Sequence, residues 1–362
     1  MEQPQFKVQV FCMTFNHAPY IIETMNGFCL QQTMFPFICT IFDDCSTDGE
    51  QEVIRQYLQE HFEMDDNSVV KKEETDDFIL TYARHKTNKN CFFAVYYLKY
   101  NHYSIGKGYR EQEYCKEFTD EVHFIALCEG DDYWINSDKF QKQVDYLESH
   151  PDCTMVCNRT KRYSEKDHCF LADSFCMAEN GYLDKKDVIK KGGLYISTCS
   201  IVYKKQITDN YPEYCKHCHV GDYPLQIMAA MKGCIYYFNV PMSVYRVNNP
   251  FSWVGKTVTD RIKESYLKGT RTEVDMLKGF SIDYSDYNKV FFQRIAYYIT
   301  FLIFKYRNDT NSVNLIKTEF DDEITRLGWI WKIRVFFILH HCYGLRKIYS
   351  LFYSFNLKFL FN

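Results

Sequence analysis

Val8-Gln9-Val10-Phe11-Cys12-Met13-Thr14-Phe15-Asn16-His17 and Phe37-Ile38-Cys39-Thr40-Ile41-Phe42-Asp43-Asp44 are two apolar, β-rich runs that each stop in polar residues. Between them, Ile21, Met25 and Phe28 recur at i, i+4, i+7, the spacing of one helix face. After the second run, Thr47-Asp48-Gly49-Glu50 has the S/T-x-x-E form of a capping box. Val53, Ile54, Tyr57 and Leu58 supply the apolar stripe of the helix it would open. Strand, helix, strand, helix in that order predicts parallel strands joined by right-handed crossovers, hence an α/β sheet.

The pattern continues downstream. Phe124 to Cys128 is a short apolar run, with Glu129-Gly130-Asp131-Asp132-Tyr133-Trp134 directly behind it. Ser137 is placed to cap a helix whose Phe140, Val144 and Leu147 share a face, with Pro151 beyond its end. Further strands are expected at 154–157, 199–203 and 235–238, and a helix over Asp222 to Met231 ended by Gly233. Residues 63–90 read as a long polar excursion, and Phe93 to Tyr100 fits a helix. Residues 260–320 read as helical without a motif.

The bulk composition narrows the function classes. Hydrophobic residues make up 46% of 362, enough for a sizeable core. Forty-three basic against 47 acidic residues leave a net charge of −4, which argues against a general nucleic-acid binder. Met1-Glu2-Gln3-Pro4-Gln5 has neither a basic n-region nor an apolar h-region, so no export signal is visible. The 16 cysteines are scattered through apolar runs (Cys12, Cys29, Cys39, Cys128, Cys199) and read as reduced, small buried hydrophobes of a cytoplasmic protein.

Acidic clusters follow the expected strands. Ligands of open α/β sheets bind in the crevice beyond the carboxyl ends of the strands. Asp43-Asp44 and Asp131-Asp132 would crowd several carboxylates on that rim, a costly repulsion unless a cation or a hydrogen-bonding ligand sits there. Hard oxygen ligands of this kind suit Mg²⁺ or Mn²⁺ bound together with a substrate phosphate.

Five segments together resemble family 2 glycosyltransferases, which have the GT-A fold, a nucleotide-binding, Rossmann-like mixed sheet flanked by helices. They are the stretch from Val8 to His17, Phe42-Asp43-Asp44-Cys45-Ser46-Thr47-Asp48, Leu127 to Trp134, Gly221-Asp222-Tyr223-Pro224-Leu225, and Met242-Ser243-Val244-Tyr245-Arg246-Val247. Each is weak alone, but they stand in the family's order across residues 6–255.

The resemblance implies a nucleotide-sugar donor, most simply a UDP-sugar, and a saccharide or glycolipid acceptor in surface-polysaccharide synthesis. It implies that Thr14 and Asn16 edge the nucleotide pocket and that Asp44 accepts from the base. Asp131 would face the ribose or the metal, and Asp132 would coordinate the Mn²⁺ or Mg²⁺ that bridges the diphosphate. Asp222 would be the general base of a single, inverting displacement. The sequence departs from the family in carrying Glu129 as the first acid of the metal motif, and Asn248 and Asn249 where many relatives have a His. The basic loop that contacts the nucleotide in relatives is expected near Lys86 to Asn90.

Several residues have simpler readings. Asp222 begins a helix and from position alone is a cap. Ser46 and Asp48 read as capping groups. Trp134 is a packed aromatic or a platform for the acceptor, and Trp253 lies in a polar stretch that could cover the donor. Cys215-Lys216-His217-Cys218-His219 has a zinc-compatible Cys-x-x-Cys. A closed site needs two more ligands, however, and the looser Cys153/Cys157 pair is a poor source.

The division expected is 1–255 for the catalytic domain and 256–362 for a helical C-terminal region. From Arg326 onward there are six Lys or Arg and no Asp or Glu. Lys332, Arg334, Arg346, Lys347 and Lys358, with Trp329, Trp331, Phe336, Phe337 and Phe352, would suit a membrane surface. An oxidoreductase is disfavoured because no G-x-G-x-x-G follows the first strand, and a P-loop enzyme because G-x-x-x-x-G-K-[ST] is absent. The alternative from another class is a non-catalytic, membrane-peripheral sugar- or nucleotide-binding protein.

Overall fold

The computed structural model describes residues 4–65, 70–106, 110–249, 263–327, 331 and 335. The expected class holds: a mixed sheet flanked by helices, followed in the chain by helices. Among the described residues the sheet has 12 strands. They are β1 Val8–Thr14, β2 Phe37–Asp43, β3 Lys71–Glu74, β4 Phe78–Arg84, β5 Cys91–Leu98, β6 Phe124–Leu127, β7 Tyr133–Trp134, β8 Cys153–Ser164, β9 Cys169–Ser174, β10 Gly181–Tyr182, β11 Val202–Lys204 and β12 Cys234–Val247. Their order is β10-β12-β8-β11-β6-β1-β2-β5-β4-β3, with β7 on β12 and β9 on β8.

The centre, β6-β1-β2-β5, is parallel, as the strand–helix alternation requires. β11 enters antiparallel between β6 and β8, and β4 and β3 extend the other edge antiparallel. The crossover helices are α1 Ile21–Cys29 and α2 Glu50–His61. Ile21, Met25 and Phe28 of α1 are buried, so the apolar spacing marked the correct face.

One expectation fails. Phe93 to Tyr100 is not helical: Phe93 to Leu98 belong to β5, all eight of whose residues are buried, and Lys99 and Tyr100 lie beyond it. A strand covered on both faces reads as an unbroken apolar run, without the alternation that would separate it from a buried helix. The polar excursion before it contains the hairpin partners β3 and β4.

Trp134 is a core residue. Its ring packs between Phe28 and Phe140, at centroid distances of 4.8 and 4.7 Å, and its Nε1 donates to Cys199 O at 2.7 Å. That burial removes it as an acceptor platform. Cys12, Cys39, Cys128 and Cys199 are buried free thiols in the same interior, pushed up by loss of solvent.

The chain divides into two compact units, one of Met1–Lys216 and Val220–Ile262, the other of His217–His219 and Lys263–Asn362. The second is built on helices Lys263–Asp283, Asn288–Lys305, Thr310–Glu319 and Asp321–Arg326. Its interior includes Met276, Leu277, Phe280, Phe291, Ile295, Ile299 and Ile303. The nearly buried Glu323 is paired there with Arg271 at 3.0 Å and Lys278 at 2.8 Å. No described helix is long and apolar enough to cross a membrane.

Candidate active site

Parallel pairing sets the carboxyl ends of β1, β2 and β6 along one edge. Thr14 stands opposite Asp43, and Phe11 opposite Leu127. Backbone bonds carry the alignment past the strands: Asp44 N donates to Thr14 O at 3.0 Å and Gly130 N to Met13 O at 2.9 Å. This is the edge at which α/β sheets bind ligands. The turns leaving β1 and β2 each hold one left-handed residue, Asn16 and Cys45, both at φ 59°. Asn16 sews them together, its N donating to Ser46 Oγ at 2.9 Å and its Oδ1 accepting from Thr47 N at 2.8 Å. Gly130 is required by close approach, since a Cβ there would lie 2.0 Å from Thr14 Oγ1.

Three acids follow β6, and burial separates them. Glu129 is exposed, yet the protein atoms around it and the charges of Asp131 and Asp222 push its carboxyl up to about 8. Asp131 is 7% exposed, and its Oδ2 accepts from Asn249 Nδ2 at 3.2 Å and lies 3.8 Å from His17 Nε2. Asn249 therefore touches the acidic motif.

Asp132 is wholly buried. Its Oδ1 accepts from Arg246 N at 2.9 Å, and its Oδ2 has no hydrogen-bond partner among the described residues. Burial and the neighbouring acids Asp131 and Glu129 hold its carboxyl well above the usual range. Asp132, expected to coordinate the metal, is thus the most enclosed of the three acids. Arg246 lies beside these acids, paired with Glu165 at 2.6 Å and with Glu23, and bonded to Asp131 O. Tyr245 beside it is held protonated by burial and by Asp132, Glu129 and Asp131.

The β2 acids are also divided. Asp43 is buried and accepts from Ser46 N at 3.1 Å and Gln51 Nε2 at 2.6 Å. Asp44 is 3% exposed, and it holds the turn after β5, with Oδ1 accepting from His102 N at 2.6 Å and Oδ2 from Tyr103 N at 3.1 Å. Burial raises both carboxyls, against those hydrogen bonds.

Asp222 opens helix Asp222–Lys232, but Gly221 is its cap residue and no side chain caps it. Asp222 Oδ1 accepts from Tyr223 N at 2.7 Å, and Oδ2 accepts from Thr198 Oγ1 at 3.2 Å. The expected lowering by the helix terminus is outweighed: burial raises its pKa, with these two hydrogen bonds pulling the other way. Gly193 leaves room beside it, as a Cβ there would come within 3.5 Å of Asp222 Oδ1.

The capping box at Thr47 to Glu50 does not form. Gly49, at φ 91°, is the cap residue of α2, and Asp48 accepts from Glu50 N at 3.1 Å and Ala18 N at 2.9 Å. Glu50 turns inward to the β1 turn. Sequence reasoning missed it, although it sits one turn before Val53 and Ile54 on the apolar stripe, where an acid is out of place.

The basic-loop expectation also fails. β5 runs parallel to β2, with Cys91 opposite Phe37, so residues 86–90 lie at the strand starts, opposite the acids. Lys86 Nζ donates there to Gln59 O and Glu60 O at 3.0 and 2.8 Å.

Among the described residues no group of three or more His, Cys, Asp or Glu is placed to hold a metal. Cys215 is buried, and His219 is seated on helix Lys263–Asp283, with Nδ1 3.2 Å from Thr272 Oγ1. Trp331, expected at a membrane surface, is 7% exposed and donates to Thr300 Oγ1 at 2.9 Å. Trp253, Trp329, Lys332, Arg334, Phe336, Phe337, Arg346, Lys347, Phe352 and Lys358 lie outside the described residues.

No family model matches the chain. Uncharacterized proteins of Mycobacterium bovis and Mycobacterium tuberculosis are 26% identical over 256 residues, 71% of this chain. The match spans 63% of the length of those curated relatives. Among solved structures, S. aureus TarS 1-349 in complex with UDP overlaps with a TM-score of 0.47 at 15% identity, covering 88% of each chain. The mannosyltransferase PcManGT from Pyrobaculum calidifontis, in complex with GDP-Man and Mn²⁺, overlaps at 0.47 and 11% identity, covering 92% of this chain and 79% of that one. Overlaps this partial do not define a fold, and the architecture rests on the strand order and register above.

Proposed function

We propose that the protein is an inverting, GT-A-type glycosyltransferase, moving a sugar from a nucleotide donor, UDP-linked by the motif resemblance, to a hydroxyl of a saccharide or glycolipid. The observation that carries this reading is the proximity of Glu129, Asp131 and Asp222, since burial and the charges of the other two acids raise the Glu129 carboxyl. The ordered motifs that resemble family 2 glycosyltransferases converge on the same edge of the sheet.

Glu129 and Asp131 are the residues that would hold Mn²⁺ or Mg²⁺. Two carboxylates, one exposed and one nearly buried, crowded enough to raise the first, fit a cation completed by water and substrate phosphate. When bound, such a cation stabilises charge on a departing diphosphate. His17 and Asn249 fix the attitude of Asp131. Thr14 and Asn16 shape the turns that edge the nucleotide.

Asp44 reads the base from beneath: a base N–H would replace that of Tyr103 at Oδ2, the longer of its two bonds. Asp222 accepts the proton of the acceptor hydroxyl as that oxygen attacks the anomeric carbon. Its raised pKa makes it a stronger base than a solvated carboxylate. Thr198 keeps one of its oxygens oriented.

Thermal-shift screening with nucleotide sugars, with and without Mn²⁺, tests the reading. It expects stabilisation by at least one UDP-sugar that depends on the cation. No stabilisation by any nucleotide sugar would remove it.

A further inference from the structure

Glu50 is a wholly buried carboxylate that the proposed chemistry does not use. It lies where three parts of the rim meet. Thr14 Oγ1, at the end of β1, donates to its Oε1. His17 N, from the following turn, donates to Oε2 at 2.9 Å, and Ser46 Oγ, from the turn after β2, donates to the same oxygen at 2.8 Å. A solvated acid in the first turn of a helix would serve the helix dipole at no desolvation cost. Here the acid is buried, and three donors from two other segments compensate it.

The contacts have a direction. A hydroxyl has one proton. Thr14 gives it to Glu50, which leaves the oxygen's lone pairs to the His17 ring, whose Nδ1 lies 3.3 Å away. With the backbone N and the ring of His17 both fixed, its Nε2 is packed 3.8 Å from Asp131 Oδ2, the oxygen that accepts from Asn249. Gly130, one residue before Asp131, packs its bare Cα against Thr14. A shift of Thr14 is therefore passed to the acidic loop both through His17 and through direct contact.

We propose that Glu50 is a positioning residue of the donor site, holding Thr14 and His17 so that Asp131 keeps its attitude beside Glu129. The inference rests on the nucleotide-sugar reading. Groups that orient a metal-ligating residue typically change metal affinity or activity on the order of 10–100-fold when removed.

The test is calorimetric titration of UDP in Mn²⁺ into the full chain and into Glu50→Gln, Thr14→Val and the double variant, with melting curves for each. Glu50→Gln preserves shape but presents an amide N–H to Thr14. Each single variant should weaken UDP about tenfold. The double variant should bind within about twofold of the weaker single one, because both break one chain of contacts. Thr14→Ser, which keeps the hydroxyl, should recover affinity relative to Thr14→Val. A folded Glu50→Gln that binds as wild type does, or losses that multiply, would overturn the positioning role while leaving the donor site standing. If Glu50→Gln does not fold, equal binding by Thr14→Ser and Thr14→Val overturns it. A wild type that binds no UDP removes the donor reading and this inference with it.

Discussion

The two ends of the central sheet use polar side chains in opposite ways. Where β2 and β5 begin, Lys86, Asn88 and Asn90 close backbone carbonyls. Lys86 ends α2, Asn88 Nδ2 donates to Cys29 O and Gln31 O at 3.0 and 2.8 Å, and Asn90 Nδ2 donates to Thr33 O at 2.6 Å. Where β1, β2 and β6 finish, carboxyls crowd together, raised by burial and, at Glu50, Glu129 and Asp132, by neighbouring acids as well. Satisfied polar groups at one end describe architecture, while strained titratable groups at the other mark the place where a ligand is expected.

Asp222→Asn should break the contrast most. The amide keeps the shape and can still accept from Tyr223 N, but it cannot take a proton. Turnover should fall about 10²–10⁴-fold with melting temperature and donor affinity retained. Near-normal turnover in a single-turnover assay would leave Asp222 structural.

Asp131 and Asp132 divide the contrast within one motif. Asp131→Asn should weaken Mn²⁺-dependent UDP binding by roughly 10–100-fold with little change in melting. Asp132→Ala should do the reverse. It strands the Arg246 N–H and should cost about 1–3 kcal/mol of stability, with a smaller loss of affinity. Calorimetry that found Asp132 the more damaging of the two for metal-dependent binding would return the metal to that residue.

The opposite end should answer only in stability. Asn88→Ala removes two hydrogen bonds and should cost about 1–3 kcal/mol in urea unfolding, with UDP affinity unchanged. Weaker UDP binding would show that the two ends are coupled.

The smallest effect concerns Lys139, wholly buried beneath the acidic rim, with Nζ 2.7 Å from Gln143 Oε1 and 4.5 Å from the Trp134 ring. Burial lowers it from 10.5 to about 7. Between those values the unfolded chain binds the extra proton, so this group makes stability rise with pH from about 7 toward 10.5; below 7 the folded state carries the charge and gains nothing from further acid. Lys139→Met should remove that rise and be the more stable protein at pH 6. Parallel urea midpoints for the two proteins from pH 6 to 9 would contradict it.

The sequence made the candidate edge legible because chemistry and periodicity coincide there: the apolar runs of β2 and β6 end in acids, and α1 and α2 show their stripes. It did not reveal β5, whose two-sided burial erases alternation. Nor could it separate Asp131 from Asp132, since adjacent carboxylates differ only by which way the turn points them. Glu50 was hidden by a local rule. Its spacing from Thr47 satisfies a capping box, and only the tertiary contact with Thr14 and His17 shows that the side chain went elsewhere. Lys86 to Asn90 were misplaced because the sequence does not show at which end of a strand a basic loop falls until the strand itself is identified.

The most direct measurement is release of UDP from UDP-sugars by the purified protein in Mn²⁺, followed beside Asp131→Asn. The account predicts cation-dependent release from at least one donor, lost in the variant. Tight, cation-dependent binding of UDP-sugars with no release, even with saccharide acceptors added, would contradict it and leave a binding protein in place of a transferase.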